Sequence, residues 1–168
     1  MARRVTKTTA SKVDSAQDVF EITNDTMVSC RNGTAGNLIY KSLLNPGYTV
    51  EWDGFGDTQD LEYRELVSMR GNQRRFFEDN WILIDDYRII QKLGVDRYYR
   101  NSLTTDHFDE VFSMPADKIK EVVPSLPGGT KDAIASRAKD KIESGELDSR
   151  SAIKALEDSL SVELEETI

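Results

Sequence analysis

The amino-acid sequence predicts an α+β fold, in which a small antiparallel β-sheet or hairpin packs with helices and a C-terminal α-helical hairpin follows. Short segments with strand-like alternation, separated by turn residues, occupy residues 26–52. The highest apolar density follows at residues 76–101, which predicts the centre of the core there. Apolar residues then recur at helical spacing from residue 130 to residue 161, which predicts two paired helices.

Composition divides the chain into five segments. The length of 168 residues suits one domain with a small appendage. The clearest boundary is Pro124–Gly129, where two prolines and two glycines separate helical patterns. We therefore predict a flexible basic arm, an α+β core domain, a Pro/Gly linker, a helical hairpin and an acidic tail, at residues 1–25, 26–123, 124–129, 130–161 and 162–168.

Charge is distributed unevenly along an acidic chain. The net charge is −8, from 22 basic and 30 acidic residues. The first twelve residues carry four basic side chains and no acid, whereas residues 143–168 carry eight acids against Arg150 and Lys154. The overall charge repels a phosphate backbone, which argues against nucleic acid as a partner. No apolar run approaches the roughly 18 residues of a membrane-spanning helix, so we expect no membrane partner.

The first strands are predicted in the amino-terminal third of the chain. Met27–Cys30 and Leu38–Lys41 are short and half apolar, and Asn32–Gly33 between them is a hairpin turn signal. A second turn is predicted at Asn45–Gly47, where proline fixes φ and glycine accepts a positive φ. Tyr48–Trp52 then alternates, which predicts a strand with one buried face.

The next segment, Thr58–Arg70, predicts a helix that Thr58 caps and Gly71 ends. Its apolar side comprises Leu61, Tyr63, Leu66, Val67 and Met69. Residues 72–79 predict a short second helix, and Trp81–Ile84 a buried strand. A helix capped by Asp85 and ended by a left-handed Gly94 is expected to follow, with a further helical turn at residues 96–101.

The remaining elements are predicted to be helical. Thr104 or Thr105 caps residues 106–112, and Pro115 begins a helix with an apolar face that includes Ile119. In the C-terminal hairpin, Thr130 caps the first helix and Asp148 or Ser149 caps the second. The apolar residues of the two helices are Ile134, Ala138 and Ile142, then Ile153, Leu156 and Leu160.

No group of residues predicts catalysis, a metal site or a cofactor site. Asp85–Asp86 resembles part of a metal site but stands where a helix cap belongs. His107 lies between two aspartates on a short predicted helix, where adjacent side chains do not face each other. Cys30 is the single cysteine, which excludes an intramolecular disulfide and favours a buried structural thiol. We therefore predict that the chain is not an enzyme.

Three groups of residues are candidates for partner contacts. They are the apolar anchors of the arm, the apolar face of the last helix and the basic cluster of the folded part. Their members are Val19, Phe20 and Ile22, then Ile153, Leu156 and Leu160, then Arg70, Arg74 and Arg75. The arginines, with the adjacent Phe76 and Phe77, also support an alternative function as a nucleic-acid-binding or regulatory protein.

Several segments are similar to proteins of tailed bacteriophages of Gram-positive hosts. They are Tyr48–Trp52, Glu65–Arg70, Arg75–Trp81, Leu93–Tyr99, and an ending from Leu126 through Ser144–Ser149 to Ile153–Glu157. The resemblance covers roughly residues 48 to 164 and contains no catalytic motif. It implies a virion component of the head, neck or tail that binds copies of itself and its neighbours.

The resemblance and the charge pattern lead to one functional expectation. We expect a non-enzymatic phage structural protein that is made in the host cytoplasm and located in the virion. Its partners would be other virion proteins and the protein itself, as a homo-oligomer. The basic arm and the acidic tail suit this role because they can pair between neighbouring copies.

Overall fold

A computed structural model describes residues 21–103 and 107–164 of the chain. It confirms the predicted α+β class, with small antiparallel sheets, packed helices and paired C-terminal helices. The buried apolar residues form two clusters, one within residues 28–95 and one within residues 108–164. No helix in these two ranges is long and apolar enough to cross a bilayer.

The strands form two separate sheets. They are β1 (Met27–Asn32), β2 (Leu38–Lys41), β3 (Thr49–Trp52), β4 (Thr58–Glu62) and β5 (Ile82–Ile84). The three-stranded sheet has the order β4–β1–β5, and the two-stranded sheet pairs β2 with β3; all neighbours are antiparallel. The two sheets share a core, in which the buried Trp52 donates from Nε1 to the Cys30 carbonyl at 2.9 Å.

Two helices separate β4 from β5, and every described element after β5 is helical. The helices are α1 (Tyr63–Asn72), α2 (Arg75–Glu78), α3 (Tyr87–Leu93), α4 (Asp96–Tyr99), α5 (Ala116–Val122), α6 (Gly128–Glu143) and α7 (Arg150–Leu160), with 3-10 helices at Phe108–Ser113 and Val123–Ser125. The predicted capping threonines before the first 3-10 helix lie outside the described residues. Gly94 ends α3 with a φ of 67°, as the sequence predicts.

The predicted hairpin at Asn32–Gly33 is wrong, because β1 pairs with β4 and β5 and not with β2. Gly33 donates its backbone N–H to the Trp81 carbonyl at 2.8 Å. A Cβ at this position would lie 2.2 Å from the Asn80 carbonyl oxygen. The glycine is needed for close backbone approach between distant segments, which a local turn signal does not distinguish.

The predicted start of the first helix is also wrong, because Thr58–Glu62 is strand β4 and α1 begins at Tyr63. Leu61 is fully buried and lies opposite Val28 of β1 in the antiparallel register. Pairing with β4 satisfies the backbone N–H and C=O groups along one edge of the central strand β1. These hydrogen bonds outweigh the local capping signal of Thr58. The pairing of Leu61 with Val28, 33 residues earlier in the sequence, thus decides the conformation of this segment.

A turn at Asp79–Trp81 joins the two apolar clusters. Asn80 is buried and has a φ of 52°, which is uncommon outside glycine. The Asp79 carbonyl accepts from the Gly129 N–H at 2.8 Å, and a Cβ on Gly129 would lie 2.4 Å from that carbonyl oxygen. The first turn of α6 is therefore packed directly on the backbone of the first cluster.

The division between the clusters lies earlier than the predicted linker. Residues 124–129 contain part of a 3-10 helix and the start of α6, and Leu126 among them is buried. Ile119 and Val123, which the sequence assigned to the core domain, belong to the second cluster, in which α5 packs against α7. The proline and glycine signals mark a tight turn within a packed unit.

Candidate functional site

The predicted anchors of the arm are only partly described. Val19 and Phe20 lie outside the described residues. Ile22 is half-buried against the first apolar cluster, and its carbonyl accepts from the Lys92 ammonium group. The Asn24 carbonyl accepts from the Arg64 N–H at 3.0 Å. The predicted arm at residues 1–25 therefore has its last residues attached to the folded core.

The last helix does not offer the predicted contact face. Ile153 and Leu156 are buried in the second cluster, and Leu160 is half-buried against it. These side chains face α5 and α6, so they hold the helices of one chain together. Their assignment as partner-binding residues is corrected: the i, i+3, i+7 spacing marks a buried face but does not show what covers it.

The three arginines are engaged within the chain. Arg70 donates to the Leu93 carbonyl at 2.6 Å, at the end of α3. Arg74 lies 3.7 Å from Glu78, and Arg75 lies 2.9 Å from Asp79. The Arg75 guanidinium also stacks over Trp81, 5.0 Å from the ring centroid. Acidic neighbours offset the charge of this cluster, which weakens it as a nucleic-acid surface.

The two adjacent aspartates have separate structural partners. Asp85 accepts from Arg31 Nε at 2.9 Å in an ion pair on the surface. Asp86, not Asp85, caps α3, because its carboxylate accepts from the Arg88 N–H at 2.9 Å. The predicted cap residue is therefore wrong by one position. The Arg88 side chain, which bonds to the same carboxylate, lowers the pKa of Asp86.

Replacing the cap should destabilise the protein modestly and in a pH-dependent way. We expect Asp86→Ala to lower the free energy of unfolding by about 1 kcal/mol, because an orphan N–H of α3 loses its acceptor. Because the pKa of Asp86 is lowered in the folded state, its ionised carboxylate stabilises the fold at pH values above the ordinary pKa of 3.8. This stabilisation is lost as the pH falls through the folded-state pKa. Urea unfolding at pH 7 and pH 3 measures both effects.

The neighbouring residue supplies the control for that prediction. Asp85→Ala removes only a surface ion pair, so its effect should stay within about 0.5 kcal/mol. Asp86→Asn keeps an acceptor and should retain most of the cap at both pH values. Equal losses for Asp85→Ala and Asp86→Ala at pH 7 would contradict the assignment of the cap.

The remaining titratable candidates, His107 and Cys30, are placed as surface and core residues. His107 is exposed and lies 2.7 Å from Glu110. Cys30 is fully buried in β1, and burial followed by the nearby Asp60 and Asp85 charges raises the pKa of its thiol. Within the described ranges, no three His, Cys, Asp or Glu side chains are placed to hold a metal ion.

Exposed apolar side chains concentrate on the β2–β3 hairpin. Leu43 is 64% exposed and Leu44 is 48% exposed, both in the turn between the strands. Ile39, 48% exposed, lies on the outer face of β2. Tyr40 and Ser42, which alternate with these exposed residues, are buried and point the other way. Large apolar groups displayed together on one element are typical of a contact surface.

A buried carboxyl group holds this hairpin against α1. Glu65 is only 1% exposed. Its Oε2 accepts from the Tyr40 and Ser42 hydroxyls, each at 2.7 Å, and its Oε1 accepts from the Asn45 side-chain amide. Burial, followed by the bond to Glu65, raises the pKa of the Tyr40 hydroxyl.

The network extends into the turn itself. The Ser42 hydroxyl oxygen also accepts from the N–H groups of Leu44 and Asn45, at 3.1 and 2.8 Å. The backbone that carries the exposed leucines is thereby bonded, through Ser42, to a buried side chain of α1. Glu65, Tyr40, Ser42 and Asn45, which we call the clamp, fix the conformation of the turn.

The sequence predicts neither the clamp nor the exposed leucines. Two signals were available: a glutamate within the apolar stretch Leu61–Met69, and two adjacent leucines before the Asn45–Gly47 turn. Neither signal shows that the Ser42 hydroxyl, just after β2, meets a helical carboxyl group 23 residues away in sequence. Their meeting depends on how the hairpin packs on α1.

A cavity of about 490 Å³ lies between the loops that carry Ala35 and Phe55 and the helices that carry Asp109 and Arg137. Its lining includes Phe55, Phe108, Asp109 and Arg137. Arg137 pairs with Asp109 at 3.3 Å, and Lys141 lies 3.4 Å from the same carboxylate. Burial raises the pKa of Asp109, but the two cations outweigh it and the pKa is lowered. The charges of Asp109 and Arg137 at this cavity are matched within the chain.

Comparisons of the chain with protein-family models, curated proteins and solved structures found no match.

Proposed function

We propose that the chain is a non-enzymatic structural subunit of a tailed-bacteriophage virion, in the head, neck or tail, and that it works through protein–protein contacts. One observation carries the assembly part of the proposal: exposed leucines are displayed on a hairpin that a buried clamp holds rigid. The phage part follows from the sequence resemblance over residues 48–164.

The energetics of the hairpin support a contact role. Burying the Glu65 carboxyl group is costly unless its oxygens are bonded, and three donors are committed to it. The described residues leave Leu43 64% exposed and Leu44 48% exposed. A turn that is fixed but not packed is preorganised for binding, because less conformational entropy is lost when a partner covers it.

The ends of the chain supply a second kind of contact. The first twelve residues are basic, and residues 143–168 carry eight acids against two basic residues. Opposite charges on the two ends favour contacts between neighbouring copies and set their orientation. Such contacts weaken as ionic strength rises, whereas contacts made by the leucines do not.

The location in a virion is tested on particles. We expect peptides of this chain in gradient-purified particles of the phage that encodes it, at a constant ratio to the other virion proteins. Quantitative mass spectrometry measures that ratio. A chain that stays in the host lysate and never sediments with particles contradicts the proposal.

Steeply salt-dependent DNA binding that is lost on changing Arg74 and Arg75 would favour the nucleic-acid alternative instead.

Removing the arm should separate folding from assembly. We expect a chain that starts at Glu21 to keep its unfolding midpoint, because the contacts of Ile22 and Asn24 remain. The same chain should enter particles less efficiently when it replaces the full-length protein. Unchanged incorporation would contradict a contact role for the arm.

A second truncation is the matched control. A chain that starts at Asp25 also loses the packing of Ile22 and the bond between Asn24 and Arg64. We expect this chain to unfold more easily, by about 1–3 kcal/mol. Thermal unfolding of the two truncations side by side therefore distinguishes a loss of contacts with partners from a loss of stability.

A further inference from the structure

The outer face of the β2–β3 hairpin carries unpaired charge beside its apolar groups. Ile39 and Lys41 are exposed on β2, and Thr49 and Glu51 are exposed on β3. In the antiparallel register, Ile39 lies opposite Glu51 and Lys41 lies opposite Thr49. The lysine and the glutamate are therefore diagonal neighbours on one flat face.

These two charges are among the exposed ions that no ion pair matches within the described residues. Many exposed ions nearby are matched within the chain, such as Arg74 with Glu78 and Arg75 with Asp79. Lys41 and Glu51 have no ion-pair partner among the described residues. One positive and one negative charge on the same small face make that face complementary to itself.

A two-fold axis would use this complementarity. When a face meets its own copy across such an axis, residue i of one copy contacts residue j of the other, and the reverse contact also forms. Lys41 of each copy then lies against Glu51 of the other. The same operation sets Ile39 beside the Ile39 of the other copy, and the exposed Leu43 and Leu44 lose water contact to the surface of that copy.

Contact through the face suits the hairpin better than addition of a strand at its edge. Ser42 donates its N–H to the Tyr48 carbonyl at 3.0 Å, toward β3. Because backbone groups alternate in direction along an antiparallel strand, those of Ile39 and Lys41 point away from β3, toward the outer edge of β2. Gln73 donates from its side chain to the Lys41 carbonyl at 3.0 Å. The outer edge of β2 is thus already partly occupied.

We infer that the face formed by Ile39, Lys41, Leu43, Leu44 and Glu51, which we call the hairpin face, pairs with the hairpin face of a second copy of this chain. This inference rests on the proposed function, since it names the partner of that contact surface. Five residues make a small interface, so the pairing on its own is weak, with a Kd on the order of 100 µM. Such a contact becomes effective when many copies assemble together.

Sedimentation equilibrium of the full chain from about 10 µM to about 1 mM tests the inference, a range that brackets the expected Kd. We expect the mass to rise from 19.0 kDa toward twice that value. The double change Leu43→Ser with Leu44→Ser should weaken association about tenfold or more, because it removes apolar contact from both sides of the interface. The matched control is Tyr87→Ser, which removes an exposed apolar group on α3, 61% exposed, and should change nothing.

Charge reversal gives a second test that does not depend on the leucines. Lys41→Glu and Glu51→Lys should each weaken self-association, because each places like charges together. A mixture of the two variants should recover it as a heterodimer, since each variant then meets its opposite. Circular dichroism of every variant checks that the fold is unchanged.

Each outcome decides the inference. A mass of 19.0 kDa at all concentrations overturns it, as does association that the leucine changes and the charge reversals leave unaltered. In the second case the chain still self-associates, so the proposed assembly function stands on another surface. Absence of the chain from purified particles would instead remove the virion proposal and leave the measured pairing of the hairpin face intact.

Discussion

Glu65→Ala should destabilise the protein by about 3 kcal/mol. The change removes the acceptor of three donors, from Tyr40, Ser42 and Asn45, in a site where Glu65 itself is only 1% exposed. Buried donors without a partner each cost about 1–3 kcal/mol, and water entering the vacated space offsets part of that cost. Urea unfolding followed by the fluorescence of Trp52 and Trp81 measures the loss.

Three variants separate the clamp from a general effect of losing a glutamate. Glu62→Ala should cost less than about 1 kcal/mol, because Glu62 bonds to Arg64 at the surface. Glu65→Gln keeps the size and one acceptor oxygen, so we expect about half the loss of Glu65→Ala. Tyr40→Phe combined with Glu65→Ala should cost at least about 1 kcal/mol less than the sum of the single changes. A stability of Glu65→Ala within about 0.5 kcal/mol of the unchanged protein would contradict the clamp.

Gly129→Ala should destabilise the protein by about 2–4 kcal/mol, although alanine is the better helix former. The added Cβ would lie 2.4 Å from the Asp79 carbonyl oxygen and 2.9 Å from Cδ1 of Trp81. Relieving this clash moves the start of α6 away from the first cluster and breaks the 2.8 Å bond from the Gly129 N–H. Thermal unfolding, with hydrogen exchange at the amides of α6, measures both consequences.

The preceding residue is the matched control. A Cβ on Gly128 would lie 3.5 Å from a side-chain oxygen of Asp79, which is ordinary contact. Gly128→Ala should therefore leave stability within about 0.5 kcal/mol or raise it slightly. If both alanines were tolerated equally, the segment 124–129 would behave as the linker that the sequence predicts, and the packed turn would be wrong.

The sequence predicts which candidate site residues pack, but it does not predict what they pack against. Local pattern correctly places Ile22, Ile153 and Leu156 as apolar residues that pack, but the structure packs all three within their own chain. The leucines at 43 and 44 carry the proposed contact because the described part of the chain leaves them exposed. Hydrophobicity alone does not distinguish these cases, since burial depends on which elements meet.

The sequence by itself determines the α+β class and most of the strands and helices. Alternation, turn residues and helical spacing act over a few residues, so β2, β3, β5 and the C-terminal helices α6 and α7 can be predicted from local signals. Only the tertiary structure decides that Thr58–Glu62 is a strand, that Gly33 and Gly129 pack on a distant turn, and that Glu65 is buried. Each of these depends on a partner about 20 to 50 residues away, and the free energy of such a contact exists only once the chain has folded.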